Sequence, residues 1–222
     1  MAQEMDFWER PEVVAEFAAR EPDKRLLPFL DRYADPAATR VLDLGCAAGR
    51  NTVLLAQRGF DVLALDSSSA MVEETRRRLV PLLGEASARQ RVRLGRMDDV
   101  SAFDSASIHL VVALGILHNA GSWAEWQRAV AGLARVLRPG GHLLVAQFSP
   151  DVDLTGEGVQ PIAGQPHLYM GLHDRAGILL RPDELDAEMA PFGFRPEVPT
   201  AVGETRTEKG RRVSVNGLYR KD

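Results

Sequence analysis

Residues 41–52, VLDLGCAAGRNT, decide how this sequence is interpreted. The apolar residues Val41, Leu42 and Leu44 are typical of a strand, and a turn of small residues follows before a helix-forming segment begins. Small residues at such a turn let a ligand approach the backbone closely, and N–H groups at the start of the next helix can face it. We therefore predict a cofactor-binding loop. The alternative is a tight strand-to-helix turn that binds nothing.

Two acidic residues accompany this loop. Asp43 precedes Gly45 by two positions and can either fix the loop or accept hydrogen bonds from a ligand amine. Asp66 ends the apolar stretch DVLALD, 21 positions after Gly45. A carboxylate there can accept both hydroxyls of a ribose. It can also cap the helix that starts at Ser67, and the two roles are compatible.

Composition and charge narrow the class of protein. The 222 residues suit one domain, and the net charge of −4 gives no global attraction for nucleic acid or an anionic membrane. The arginines of RRR, residues 76–78, are expected on a solvated face.

The acidic start lacks a secretory signal, and no apolar run is long enough to span a membrane. A single cysteine, Cys46, excludes an intramolecular disulfide and a cysteine-based zinc site. We expect a cytoplasmic protein.

Residues 40–148 alternate strand and helix patterns with short connections, which predicts a doubly wound α/β fold with a mostly parallel sheet, helices on both faces and an antiparallel C-terminal strand. The last helix of this stretch is expected to end at Pro139, and the fifth strand to cover residues 142–149. We predict a single domain, 1–222. Its parts are a helical cap (1–39), a cofactor-binding core (40–148), an irregular substrate lid (149–181) and a C-terminal helix with strands (182–222).

Four stretches, in this order, resemble the class I S-adenosylmethionine-dependent methyltransferases: VLDLGCAAG, VLALDSSSAMV, RMDDVSAFDSASIHLVVALGILHN and LARVLRPGGHLLVAQF. The resemblance implies a Rossmann-like sheet of seven strands, S-adenosylmethionine as cofactor and S-adenosylhomocysteine as product. It also implies methyl transfer by in-line displacement. The pair Arg50-Asn51 resembles the members of the family that act on small molecules, so a small-molecule acceptor is expected.

The resemblance also implies roles for individual residues. Asp43, Gly45 and Gly49 are expected around the methionine part of the cofactor and Asp66 on its ribose. The remaining expected cofactor contacts are Met97 and Asp98 beside the adenine, together with Cys46, Ala47, Asn51, Ser67, Met71 and Leu114. Ala47 stands where the family usually has a glycine, and it should fit if its φ stays negative. His109 stands where an aspartate is common.

Methyl transfer asks few residues to act chemically. The sulfonium carbon is already electrophilic, so the protein mainly aligns the acceptor and excludes water. His118, after the fourth strand, is the candidate general base; a hydrogen-bonded loop histidine is the alternative. Contacts to the acceptor are expected from Trp8, His118, Tyr169 and His173. No metal site is expected, since His167 and His173 lack a third well-spaced ligand.

Other classes of protein fit the sequence less well. An NAD-dependent oxidoreductase is expected to have a glycine where Arg50 stands. Ribose-methylating RNA enzymes use lysines within the core, whereas the three lysines of this chain lie outside it. RNA or protein methylation and a non-catalytic S-adenosylmethionine-binding protein stay open as alternatives. A monomer or a homodimer is expected.

Overall fold

The structure is a computed structural model that describes residues 6–172, 175–208 and 210–222. Contacts within the chain divide it into two compact units, one ending at Met97 and the other beginning at Asp98. The prediction of a single domain stays a prediction.

The first unit carries the cofactor motifs. Its elements are a 3-10 turn (Phe7–Glu9), α1 (Pro11–Ala19), α2 (Leu27–Leu30), β1 (Arg40–Leu44), α3 (Arg50–Gln57), β2 (Asp61–Asp66), α4 (Ser69–Leu83), α5 (Glu85–Arg91) and β3 (Val92–Leu94). The strands pair in parallel in the order β1-β2-β3, with Asp43 opposite Ala64. The carboxyl ends of β1 and β2 therefore lie side by side, with Asp43 and Asp66 at the same edge.

Local sequence explains the limits of α4. Ser68 is its N-cap, since the hydroxyl accepts a hydrogen bond from the N–H of Met71 at 3.2 Å. Gly84, at a φ of +78°, ends the helix, and α5 begins at the next residue. The sequence analysis predicted α4 and missed α5, because the seven residues of α5 show little apolar periodicity.

The second unit contains the remaining elements. They are β4 (Ile108–Leu114), a 3-10 turn (Leu117–Asn119), α6 (Trp123–Val136), β5 (Leu137–Phe148), β6 (Gln160–Pro161), β7 (Leu168–Leu172), β8 (Arg175–Ile178), α7 (Pro182–Met189), a 3-10 turn (Ala190–Phe192), β9 (Phe194–Pro196), β10 (Ala201–Thr207) and β11 (Gly210–Lys221). β5 runs parallel to β4 and antiparallel to β11, which also pairs with β9 and β10.

The predicted α/β class, with parallel core strands and an antiparallel C-terminal part, is confirmed, although three C-terminal strands replace the one expected. Among the described residues, eight strands belong to the parallel core or the antiparallel C-terminal part, where seven were expected. Three of them lie in the first unit and five in the second. Pro139 does not end the helix, because β5 already begins at Leu137, which pairs with Ile108 before a register shift. The connection 149–181 is also more regular than expected, since β6, β7 and β8 form a small antiparallel sheet. Among the described helices, none has the length and apolar character needed to cross a membrane.

Candidate functional site

The loop between β1 and α3 is wound by three residues with positive φ: Gly45 (+70°), Ala47 (+47°) and Gly49 (+81°). The condition under which Ala47 was expected to fit, a negative φ, is not met. The protein holds Ala47 in the left-handed region from both sides. Its N–H donates to Asp66 Oδ2 at 2.8 Å, and its carbonyl accepts from the Thr75 hydroxyl at 2.6 Å.

Most of the backbone donors of loop 45–49 are used inside the protein. The N–H groups of Gly45 and Cys46 donate to the Leu65 carbonyl at 2.8 and 3.1 Å, and that of Gly49 donates to Cys46 at 2.9 Å. With the N–H of Ala47, four of the five donors are engaged. A phosphate-binding loop does the opposite, because its N–H groups point at the anion. The backbone of this loop therefore offers a ligand few free donors.

Asp66, at the end of β2, ties the loop to the start of α4. Its Oδ1 accepts from the N–H of Ser68 at 2.9 Å, while Oδ2 accepts from Ala47. Burial raises the pKa of Asp66 above its usual value, although the backbone donors oppose this. Each carboxylate oxygen can accept a further hydrogen bond. Asp66 is not the N-cap of α4, as one sequence alternative proposed, because Ser68 holds that position and the helix begins at Ser69. Its contact with a ribose stays a prediction.

Asp43 is almost fully buried, with 2% of its surface exposed. Its Oδ2 accepts a hydrogen bond of 2.6 Å from the hydroxyl of Thr52, the third residue of α3. Burial raises the pKa of Asp43 to about 6, even though the Thr52 hydroxyl and the nearby Arg50 guanidinium favour its charged form. Asp43 therefore fixes the loop, as one of the two sequence alternatives proposed. Its contact with a ligand amine stays a prediction.

The N-terminal segment lies against the loop and α4. Trp8 and Ala47 both pack against the buried cluster of Val13, Ala48 and Met71, and the hydroxyl of Ser68 donates to the Trp8 carbonyl at 3.0 Å. The predicted acceptor contact Trp8 is thus next to the loop.

The carboxylate of Glu9 accepts hydrogen bonds from the first two residues of α4. It accepts from the N–H and the hydroxyl of Ser69, both at 2.8 Å, and from the N–H of Ala70 at 3.1 Å. Burial opposes ionisation, but these hydrogen bonds, together with one from Ser68, outweigh it and lower the pKa of Glu9. The sequence analysis did not single out Glu9.

Two predicted cofactor contacts have structural partners. The Asn51 side chain accepts from the N–H of Asp23 at 2.9 Å, which joins α3 to the N-terminal segment. Cys46 is buried, and burial raises the pKa of its thiol well above the usual value, so this cysteine is not a reactive thiolate. Of the remaining predicted contacts in this unit, Met71 and Met97 are buried and Ser67 is exposed.

Helix α4 holds the loop through residues that the sequence did not identify. Thr75 bonds Ala47, and Arg78, one helical turn later, donates to the Ala48 carbonyl at 2.7 Å. Arg76 donates to the carbonyl of Val92. The expectation of a solvated face at residues 76–78 is therefore wrong for two of the three arginines, and only Arg77 is exposed. The threonine and arginine spacing gives no local signal, because their partners are about 30 residues away.

In the second unit, the carboxyl ends of β4 and β5 gather some of the residues predicted to meet the acceptor. His118, 6% exposed, lies in the turn after β4 with its ring 4.6 Å from that of Phe148. Tyr169, on β7, packs against the buried cluster that contains Phe148. His173 lies outside the described residues. His118 thus contacts Phe148, and Tyr169 packs against the cluster to which Phe148 belongs.

Two predicted cofactor contacts also belong to this unit. Leu114 is the last residue of β4. Asp98 accepts from the Arg128 guanidinium at 2.8 and 3.2 Å. Among the described residues, no three side chains of His, Cys, Asp or Glu are grouped so that they can hold a metal ion.

Comparison with known proteins identifies a family resemblance over part of the chain. Residues 41–141 match the model of the methyltransferase domain. An uncharacterized methyltransferase of Mycobacterium tuberculosis is 36% identical over 114 residues, which are 51% of this chain and 42% of the relative. The match therefore spans less than half the length of that curated relative.

Solved structures share the fold. A SAM-dependent methyltransferase from Methanosarcina mazei aligns with a TM-score of 0.66 at 19% identity and covers 87% of this chain and 97% of its own. The 1,6-didemethyltoxoflavin-N1-methyltransferase of Burkholderia thailandensis, with bound 1,6-didemethyltoxoflavin and S-adenosylhomocysteine, gives a TM-score of 0.65 at 20% identity, with coverages of 98% and 82%. The resemblance to methyltransferases drawn from the four motifs is thereby confirmed for residues 41–141.

Proposed function

We propose that this chain is an S-adenosylmethionine-dependent methyltransferase of the class I fold that transfers a methyl group to a small-molecule acceptor. The observation that carries the proposal is the loop 45–49, which lies between the carboxylates of Asp43 and Asp66 and uses four of its five backbone donors internally. The family match over residues 41–141 supports it.

The charges at the loop favour a cationic ligand. A dinucleotide brings a pyrophosphate, which needs free N–H groups and is repelled by carboxylates. S-adenosylmethionine brings a sulfonium and an ammonium group, and both gain from nearby negative charge. With the loop donors engaged and Asp43 beside them, the site suits the second ligand and opposes the first, whereas Asp66 fits the ribose of either ligand.

The residues of the first unit divide the binding work. Asp66 accepts the ribose hydroxyls with the lone pairs that Ala47 and Ser68 leave open, and Asp43 faces the amino-acid part from the end of β1. Trp8 and Met71 exclude water from the loop. When bound, S-adenosylmethionine supplies an electrophilic methyl group, so the chain has to bind, orient and keep the site dry. A general base is needed only if the acceptor carries a proton, and His118 is the candidate for that role.

A small acceptor is supported by two observations. The Burkholderia thailandensis neighbour, which covers nearly all of this chain, binds 1,6-didemethyltoxoflavin, a small molecule. The net charge of −4 gives no field that would draw in a nucleic acid.

Mutation of Asp66 tests the binding mode. We expect Asp66→Ala to weaken S-adenosylhomocysteine binding about ten- to a hundredfold by calorimetry, because it leaves ribose hydroxyls unpaired and frees the loop. Asp61→Ala is the matched control, since Asp61 lies at the other end of β2 and pairs with Arg40 and Arg91. Unchanged affinity in a folded Asp66→Ala variant would remove Asp66 from the site.

The size of the acceptor is tested with S-adenosylmethionine that carries a tritiated methyl group. The protein is incubated with a cell extract, which is then separated by ultrafiltration. We expect enzyme-dependent label in the small-molecule fraction. Label confined to RNA or protein would contradict a small acceptor while leaving the methyltransferase assignment intact.

A further inference from the structure

Buried polar side chains of the second unit collect at one edge. Among its described residues, the buried polar or charged side chains are His118, Gln147 and Ser149. All three lie at or just beyond the carboxyl ends of β4 and β5. In an open α/β sheet this is the edge where ligands bind. Buried polar atoms elsewhere in the described part of the unit belong to aromatic side chains, Trp126 on α6 and Tyr219 on β11.

Gln147 stands out from the other two. It is the residue before the end of β5, one position beyond the pair formed by Ala146 and Leu114, and it is 2% exposed. Ser149, in contrast, donates to the carboxylate of Asp151 at 3.0 Å. Neither Nε2 nor Oε1 of Gln147 has a hydrogen-bond partner among the described residues.

An unpartnered amide is costly in such a place. Burying a polar group without a hydrogen bond is unfavourable, and leucine would fill a similar volume without that cost. Val215, the residue opposite Gln147 on β11, is buried and apolar, so its side chain offers the amide no hydrogen bond. The cost is recovered if a ligand supplies the missing partners.

We propose that the side-chain amide of Gln147 binds the methyl acceptor, and that the acceptor presents a hydrogen-bond donor and an acceptor side by side, as an amide or lactam edge does. This inference rests on the proposed function. A carboxamide offers one carbonyl and one NH₂ group, so only a complementary pair satisfies both. Val145, which precedes Gln147 on the same face of β5, and Val215 are fully buried apolar neighbours.

The test follows the Gln147 amide directly by NMR. The ¹⁵N side-chain signal of Gln147 is identified as the one missing from Gln147→Leu. The ligands are 2-pyridone, which has the lactam edge, and N-methyl-2-pyridone, which has the same ring without the donor. In protein saturated with S-adenosylhomocysteine, we expect 2-pyridone to shift this signal and to bind about fivefold or more tightly than its N-methyl analogue.

Variants separate recognition from structure. Gln147→Leu should bind 2-pyridone no better than the N-methyl analogue, with a melting temperature equal to or above that of the wild type. Gln127→Leu, the same change at an exposed position of α6, should behave like the wild type. Three results would overturn the inference: no shift of the Gln147 signal, equal 2-pyridone binding by Gln147→Leu, or a lower melting temperature of that variant, which would mean that the amide is satisfied within the fold or by water.

A separate pair of measurements tests the proposed function independently of Gln147. S-adenosylhomocysteine binding is measured by calorimetry without 2-pyridone. The 2-pyridone titration is then repeated without S-adenosylhomocysteine. Binding of 2-pyridone at Gln147 without any binding of S-adenosylhomocysteine would refute the methyltransferase proposal and leave the amide-reading site.

Discussion

Ala47 is held in a conformation that alanine rarely adopts. A φ of +47° places the backbone of Ala47 in the left-handed region. This conformation costs a residue other than glycine about 1 kcal/mol or more. The hydrogen bonds to Asp66 and Thr75 fix the peptide groups on either side, so the loop keeps its shape with a methyl group present. The strain therefore comes from the alanine at position 47. A glycine at this position would adopt the same φ without it.

Replacing Ala47 by glycine tests that strain. The relief of the left-handed conformation and the greater freedom of the unfolded chain, about 0.4–1 kcal/mol, act in opposite directions. We expect Ala47→Gly to change the free energy of unfolding by less than about 1 kcal/mol and to bind S-adenosylhomocysteine within a few-fold of the wild type.

Ala48→Gly is the matched control for Ala47→Gly. Ala48 is buried and its φ is not positive, so it gains no relief and should lose about 1 kcal/mol in denaturant unfolding. A larger loss for Ala47→Gly than for Ala48→Gly would contradict the strained conformation.

Asp43 makes stability depend on pH. Burial raises its pKa from the ordinary 3.8 to about 6 in the folded protein, so the folded state favours the protonated form. This contribution to stability is present below the unfolded pKa and is lost as the pH rises through about 6. Asp43→Asn removes the titration and keeps an acceptor for Thr52. Between pH 4 and pH 7, we expect the free energy of unfolding of the wild type to fall relative to that of Asp43→Asn by up to about 3 kcal/mol.

The quantity to compare is the slope of the free energy of unfolding against pH. A cost of the asparagine amide that does not depend on pH leaves this slope unchanged. Parallel stability curves for the wild type and Asp43→Asn over this range of pH would show that Asp43 is not the titrating group.

At the scale of elements, the segments predicted best are those with strong local patterns. β2 was predicted at its true limits, because its apolar run VLAL lies between two aspartates, Asp61 and Asp66. β5 was predicted too short, since its first residues are fixed by pairing with β4 and not by their own sequence. The small sheet of β6, β7 and β8 also depends on pairing between segments, and glycines and a proline obscure its strands.

The link between the N-terminal segment and α4 is a second feature that the sequence does not announce. We expect Glu9→Ala to lower the free energy of unfolding by about 1 kcal/mol, because the start of α4 loses an anion and three hydrogen bonds. Limited proteolysis should also cut faster within residues 10–26.

Glu12→Ala is the control for this element. Glu12 is exposed on α1, in the same segment, so its loss should leave both stability and proteolysis nearly unchanged. Equal effects of the two substitutions would show that the N-terminal segment does not depend on Glu9.

At the scale of the whole molecule, the sequence predicted the two acids at the strand ends but not the residues that fix the loop beside them. Asp43 and Asp66 follow from their positions at strand ends. Thr52, Thr75 and Arg78 act on the loop across the tertiary structure, so no local pattern marks them. Gln147 shows the same limit, since an amide in an apolar strand gains meaning only when its burial and missing partners are known. The cytoplasmic location and the oligomeric state stay predictions.

Calorimetric titration of the wild-type protein with S-adenosylhomocysteine and with NAD⁺, under identical conditions, tests the central claim most directly. The engaged loop donors and the two flanking carboxylates predict one-to-one binding of S-adenosylhomocysteine and no detectable binding of NAD⁺. Binding of NAD⁺ that is displaced by S-adenosylhomocysteine, or no binding of S-adenosylhomocysteine by folded protein, would contradict the assignment of this loop.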